Sequence, residues 1–492
     1  MNRSLDLGVM RPSRLTLALV TCVAVLSGCA NLAPDYQQPA MPIAPSFPSS
    51  GLAADARLPA APDLGWRDFF LDDRLRRVVE LTLANNRDLR VAALNIDKAR
   101  AQYGIALASA YPSISLGATG NRARTTGATA SNGQSRVASQ YGVNLGLVSY
   151  ELDFFGRVQN LGDAALESYF SIEETRRSTQ ISLIAEVASA WLLLDADTQR
   201  LQLARDTLAS QQKSYDLIRQ ANALGAQSGI ALAQAQGTVE SARVQAATFD
   251  AQVEQDRNAL TLLVGTAGLP ADLLPQPRTG LNYVVTAQLL APPADLPSSV
   301  LQQRPDVLAA EHALRSSNAN IGAARAAFYP RITLTGSAGT ASSSLSGLFD
   351  RGTDVWNFGP TITLPIFDGG ANRANLKVTE VQQQIQLATY EKTLMTAFRE
   401  VADALSARRT LAERLSAQTA LVASTARTYE LSQALFRSGG GAYLDVLDAQ
   451  RTLYTAQQSL LDLQRVEQVN RLTIYKVLGG GWSEKTAVAA AS

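Results

Sequence analysis

The chain has 492 residues, a net charge of +1 and 46% hydrophobic residues. Length alone suggests about three domains, and near-neutral charge without a basic, aromatic-rich patch argues against a nucleic-acid partner. Only 6% of residues are aromatic while Ala, Gln and Leu abound, a composition of long helices rather than of a thick globular core.

The first thirty residues read as a secretion signal. Arg3, Arg11 and Arg14 precede an apolar run from Leu15 to Leu26, too short to span a bilayer, which needs ~20 apolar residues. The same reading holds whether translation starts at Met1 or Met10. The two cysteines, Cys22 and Cys29, both lie here, so neither a disulfide framework nor a thiolate metal site is available downstream. The run ends in Leu26-Ser27-Gly28-Cys29, which looks like a bacterial lipobox and makes Cys29 the expected lipidation site after removal of residues 1–28. No later segment reads as apolar enough for a transmembrane helix.

Residues 29–64 are rich in proline and are expected to form an extended tether. Two helices follow, from about Asp72 to Asn86 and from Asp88 to about Ala110, and then a strand pair over residues 113–124 and 140–153. In it Ile114, Leu116 and Ala118 alternate with Ser115, Gly117 and Thr119, while Tyr141, Val143, Leu145 and Leu147 alternate with Gly142, Asn144 and Gly146. Strands of ~9–11 residues with one apolar and one small polar face suit a membrane barrel; an ordinary half-buried sheet has the same pattern. A helical hairpin is expected over 157–264, its apolar residues at coiled-coil spacing (Ile184, Val187, Trp191, Leu194, Leu201) and its turn at Gly225–Gly229.

After a Pro-rich linker over 265–300, residues 301–482 repeat all of this. Asp88 answers Asp306, Gly104 answers Gly322, and Tyr111-Pro112 answers Tyr329-Pro330. A proline cannot sit inside a helix and pushes the residue before it out of the helical region, so helix gives way to strand at both places. A second strand pair is expected over 331–341 and 355–366, with Trp356, Phe358, Ile362, Leu364 and Ile366 on one face, and a second hairpin over 371–478 turning at Gly439–Gly441. Glu186, Tyr215, Gly225 and Gln236 pair with Glu400, Tyr429, Gly439 and Gln450 at a spacing of about 214 residues, far beyond a solenoid period. Residues 65–264 and 301–482 are thus one unit written twice, with 483–492 a flexible tail.

Four strands cannot close a membrane barrel. An open edge inside lipid leaves backbone groups unpaired at several kcal/mol each, and closed barrels begin at about eight strands. Copies of the chain must therefore combine, giving eight, twelve or sixteen strands around a lumen lined by the small polar face.

These elements together resemble the TolC-like outer-membrane factors, in the lipoprotein branch serving efflux pumps, over essentially the whole mature chain. The resemblance is carried by Arg304-Pro305-Asp306-Val307, Phe328-Tyr329-Pro330, Tyr150-Glu151-Leu152-Asp153-Phe154-Phe155-Gly156-Arg157, Leu364-Pro365-Ile366-Phe367-Asp368-Gly369-Gly370 and Leu478-Gly479-Gly480-Gly481-Trp482. It implies an α+β membrane protein assembling as a homotrimer, with a 12-strand β-barrel in the outer membrane continued by a 12-helix α-barrel through the periplasm. It implies further a periplasmic adaptor, an inner-membrane pump and outer-membrane lipid as partners, no cofactor, and passive conduction of substrates to the exterior.

The resemblance places a periplasmic gate in Phe436–Gln450. Asp445 and Asp448 share a helix face, and threefold symmetry would make each a ring of carboxylates selecting cations, with Leu444 as an apolar constriction. The alternative is that both aspartates simply sit where a helix dipole favours negative charge. The tips that would meet the adaptor hold Gly225, Gly229, Arg437, Gly439 and Gly441. Some family members latch the gate with an arginine four residues before the first aspartate; here Gly441 stands there, with Arg437 one turn earlier.

No enzymatic site assembles. His312 reads as an ordinary helix histidine, no Ser/His/Asp set or metal cluster is apparent, and the glycine runs lack the features of phosphate loops. Two other readings stay open: the same duct used for type I protein secretion or metal efflux, and a non-conducting lipoprotein that bridges membranes.

Overall fold

The computed structural model describes residues 31–48, 61–126, 135–278, 289–290 and 296–486. The signal segment and Cys29 therefore lie outside the described residues, as do parts of the 265–300 linker. Short helices α1 (Trp66–Phe69) and α2 (Asp73–Asn85) lead to α3 (Arg87–Ala108), strands β1 (Ile114–Thr125) and β2 (Arg136–Leu152), and helices α4 (Arg157–Ala223) and α5 (Gly229–Val264). The second series is α6 (Pro305–Ala326), β3 (Arg331–Ser342), β4 (Asp354–Thr363), α7 (Ala371–Arg437) and α8 (Tyr443–Val477). α3 and α6 have 22 residues each, and α4 and α7 have 67 each, so these helices are matched in length between the two series. At 1.5 Å per residue the two longest helices run about 100 Å.

Two compact units make up the chain, residues 1–39, 97–171 and 310–390 in one and 40–96, 172–309 and 391–492 in the other. In the first, the strands form one antiparallel sheet in the order β1-β2-β3-β4. Register puts like beside like. Leu116, Leu145, Ala338 and Trp356 form one cross-strand row on the apolar face, and Gly117, Asn144, Gly339 and Val355 one on the other. A bulge lies between Leu147 and Tyr150, where Ser149 takes a φ of 44°. Gly339 permits the close approach of β2 and β3: a β-carbon there would lie 2.1 Å from the Val143 carbonyl oxygen. β4 stops at Thr363 rather than near 366, and Leu364 and Ile366 lie beyond the ladder. Pro365 has no N–H to donate to a ladder.

α6 lies on the start of α4: the His312 Nδ1 and a Glu167 carboxylate oxygen are 2.6 Å apart, and the Ser316 hydroxyl donates to the Ala164 carbonyl at 2.8 Å. His312 is thus a satisfied helix residue. The tether is held along α6, with Asn318 donating to the Pro34 carbonyl at 2.7 Å and Gln38 to Glu311 at 3.2 Å.

The second unit buries Trp191, Leu194, Leu260, Leu301 and Tyr475. The Tyr475 ring stacks on Phe69 with centroids 3.9 Å apart, and its hydroxyl donates to the Leu64 carbonyl at 2.6 Å. Burial pushes that hydroxyl far above the usual tyrosine range. One expectation is corrected here: α4 does hold a stretch long and apolar enough to cross a membrane, yet more than half of it is buried inside the protein. Its apolar residues, Trp191 and Leu194 among them, form the packed seam of a helical bundle. A second correction concerns the tail: residues 483–486 lie against α1, with the Trp66 N–H donating to the Ser483 carbonyl at 3.1 Å and Arg67 paired to Glu484.

Candidate pore wall and gate residues

The sheet offers a wall one chain leaves unfinished. Among the described residues β1 and β4 pair on one side only, so both edges are open. On the apolar face Leu116 is 74% exposed and Trp356 77%. An exposed, long, two-edged sheet in water invites aggregation; in lipid its apolar face is correctly placed, provided the edges are closed.

The helical hairpins turn the same way twice. At the first tip Gly225 takes a φ of 73° and the Ala226 N–H reaches back to the Ala221 carbonyl at 2.8 Å; at the second Gly439 takes a φ of 78° and the Gly440 N–H bonds the Leu435 carbonyl at 3.0 Å. These bonds, five residues back, satisfy the last free carbonyls of each helix, and only glycine adopts such a φ without strain. Behind the turns, Ile218, Ala235, Tyr443, Val446 and Leu447 form a buried cluster that joins the two tips. A polar layer lies under it: Gln211 donates to Gln450 at 2.7 Å and Thr238 to Gln211 at 3.0 Å. Burial beside Tyr429 raises the Tyr443 hydroxyl above its usual value.

Helix geometry then sorts the candidate gate residues. Tyr443, Val446, Leu447 and Gln450 face inward, which leaves Leu444, Asp445 and Asp448 together on the exposed face of the first two turns of α8. Asp445 falls in the first turn, as the dipole reading requires, whereas Asp448 lies beyond it and faces Arg451 at 3.5 Å. The corresponding first-copy positions are Ile230, Ala231 and Gln234, so the acidic face belongs to the second hairpin alone. Gly225, Gly229, Arg437 and Gly439 are exposed and Gly441 half-buried, packed near Leu435. The Gln211–Gln450 layer is not legible in the sequence: the repeats pair Gln236 with Gln450, and that pairing does not reveal Gln211.

A duplicated chain with an unclosed four-stranded sheet and glycine-turned helical hairpins has the architecture of the outer membrane channels it is similar to. The family model for outer membrane efflux proteins matches residues 78–266 and 296–480. The chain is 44% identical to a probable efflux pump outer membrane protein, TtgC, of Pseudomonas putida, over 96% of this chain and 97% of that protein. It is 41% identical to the cation efflux system protein CusC of Escherichia coli, over 96% and 100%. Its fold superposes on the open-state MtrE outer membrane channel of Neisseria gonorrhoeae with a TM-score of 0.82 at 38% identity, over 93% and 100%. The chain belongs to the outer membrane efflux protein family. It is the outer-membrane channel component of an efflux system, reaches into the periplasm, and works with further copies of itself, an adaptor and an inner-membrane pump. The family is one of transport channels, not enzymes.

Proposed function

We propose that three copies close a 12-strand barrel in the outer membrane, continued by a 12-helix barrel, through which substrates pass passively once the pump has delivered them. The observation that carries this is the four-stranded sheet with both edges open and an apolar face exposed. Three copies place the small polar face, with Gly117, Asn144 and Gly339, around a water-filled lumen. Asp445 and Asp448 then form rings of carboxylates at the helix tips with Leu444 beside them, a constriction that selects cations. The turns at Gly225, Gly229, Arg437, Gly439 and Gly441 meet the adaptor, and lipid on Cys29 anchors the tether held by α6. Relatives are named for toluene, antibiotic and cation efflux, so the family as a whole spans more than one cargo class.

Single-channel conductance in planar bilayers tests this. The purified protein is expected to conduct with cation preference, and Asp448→Asn to lower that preference severalfold. A sealed assembly would refute the channel, and unchanged selectivity in Asp448→Asn would refute its gate role.

A further inference from the structure

The two faces of the sheet differ in charge as well as in size. Register places Glu151 of β2 and Arg331 of β3 on the small polar face with Gly117, Asn144 and Gly339, and Arg136 at the far end of that face. Among the described strand residues these are the charges the face carries, and Glu151 is its one carboxylate. Arg157, which opens α4, reaches the same carboxylate from the helical side. Its Nε donates to Glu151 Oε1 and a terminal nitrogen to Oε2, both at 2.7 Å. Arg331 Nε adds a third contact, to Oε2 at 2.6 Å.

One carboxylate therefore meets two guanidiniums. Arg157 already neutralises Glu151 through a two-pronged contact, the strongest geometry for such a pair, so the charge of Arg331 is surplus. Exposure agrees: the Glu151 side chain is 9% exposed and that of Arg331 56%. Nor does the backbone call for an arginine here. In the first repeat Tyr111-Pro112 makes the same change from helix to strand, and Ser113 stands where Arg331 stands in the second. β3 is an inner strand, paired on both sides, so a neighbouring copy joined at the sheet's edges does not cover this position.

Resting on the channel reading above, we propose that Arg331 forms a ring of three surplus positive charges at the base of the barrel, and that this ring gathers polyanionic solutes, those carrying phosphate or several carboxylate groups, onto the exit path. Glu151 and Arg157 are the residues that position it. Twelve strands ~4.8 Å apart and tilted about 35–45° close at a backbone radius of roughly 12 Å. Less the reach of a side chain, that brings the three guanidiniums within about one Debye length of the axis, ~8 Å at physiological salt. A guanidinium also matches phosphate and carboxylate oxygens two at a time. A solute arriving from the extracellular side meets this ring before the acidic helix tips, so the two charged sites can be probed separately.

Block of the current through the full, lipidated protein in planar bilayers tests the ring, with inositol hexakisphosphate added on the extracellular side as the probe. Wild type is expected to be blocked, and less so as salt is raised. Arg331→Gln should raise the half-blocking concentration roughly tenfold, the low end for a cleft lined by one sign of charge. Arg331→Lys keeps the charge and should stay close to wild type. Glu151→Gln strips the ring of its carboxylates and should lower the half-blocking concentration, a gain that a poorly folded variant does not produce. Equal block of wild type and Arg331→Gln would overturn the ring and leave the conducting channel standing. A protein that forms no pore would overturn both.

Discussion

Arg304 ties three segments of the second unit into one knot, and removing its guanidinium measures what that knot is worth. The side chain is 10% exposed. It donates to the Val477 carbonyl at 2.7 Å, to both oxygens of Asp306 at 3.0 and 2.7 Å, and to Glu400 at 3.0 Å. Arg304→Met keeps the apolar stem and deletes all four bonds. The carboxylates of Asp306 and Glu400 are 34% and 38% exposed, so water takes over much of their solvation. The Val477 carbonyl is left without its donor at a buried helix end, which costs about 1–3 kcal/mol. Loss of a cation from the C-terminal end of α8 adds about 0.3–1 kcal/mol. The expected total is about 3 kcal/mol, at the low end for breaking a buried ion pair.

The assay is thermal unfolding of the detergent-solubilised protein at one fixed scan rate, because large membrane assemblies unfold irreversibly and the midpoint then depends on rate. At about 1 °C per kcal/mol for a chain of 492 residues the midpoint should fall by about 3 °C. Arg304→Lys should recover less than half of this, since an ammonium lacks the planar fork that engages both Asp306 oxygens. A Met variant melting within about 1 °C of wild type would refute the reasoning, as would a Lys variant indistinguishable from it.

Three further outcomes are expected. Gly339→Val should lower the yield of oligomer in size-exclusion chromatography of the detergent-solubilised protein, because its β-carbon meets the Val143 carbonyl oxygen, whereas Gly359→Ala, with open space around it, should leave the yield unchanged. Asp256 is buried beside Asp197, and desolvation first, then that neighbour, push its carboxyl up to about 6 from its ordinary 3.8. The folded state thus holds its proton more tightly than the unfolded one, so this group's contribution falls as pH rises from 3.8 to about 6. Asp256→Asn should therefore raise stability at pH 7.5 by about 1–2 kcal/mol, the full shift being discounted for the Gln252 hydrogen bond and nearby Arg200, and leave it unchanged below pH 4; melts at the two pH values check this. Gly322→Ala would bring a β-carbon to 2.6 Å from Asn160 and 2.7 Å from the Ala33 nitrogen. It should loosen the tether, which proteolysis between residues 31 and 39 would report as faster cleavage.

What was legible in the sequence was whatever is periodic or local. Alternation in Ile114–Leu116–Ala118 dictated the two faces of the sheet, the Tyr-Pro pairs dictated where helix yields to strand, and Gly225 and Gly439 dictated the turns, because backbone dihedrals are a property of single residues. The spacing that buries Tyr443, Val446 and Leu447 equally dictated that Leu444, Asp445 and Asp448 face outward. The burial of the apolar stretch of α4 is not legible in the sequence, because composition alone does not tell a bundle seam from a membrane span. Contacts between distant segments were not legible at all. Arg304 on Val477, Gln211 on Gln450, the tether on α6 and Ser483 on Trp66 each join residues that only packing brings together. The requirement that Gly339 be small is set by a neighbouring strand rather than by its own dihedrals, so tertiary structure alone decides it.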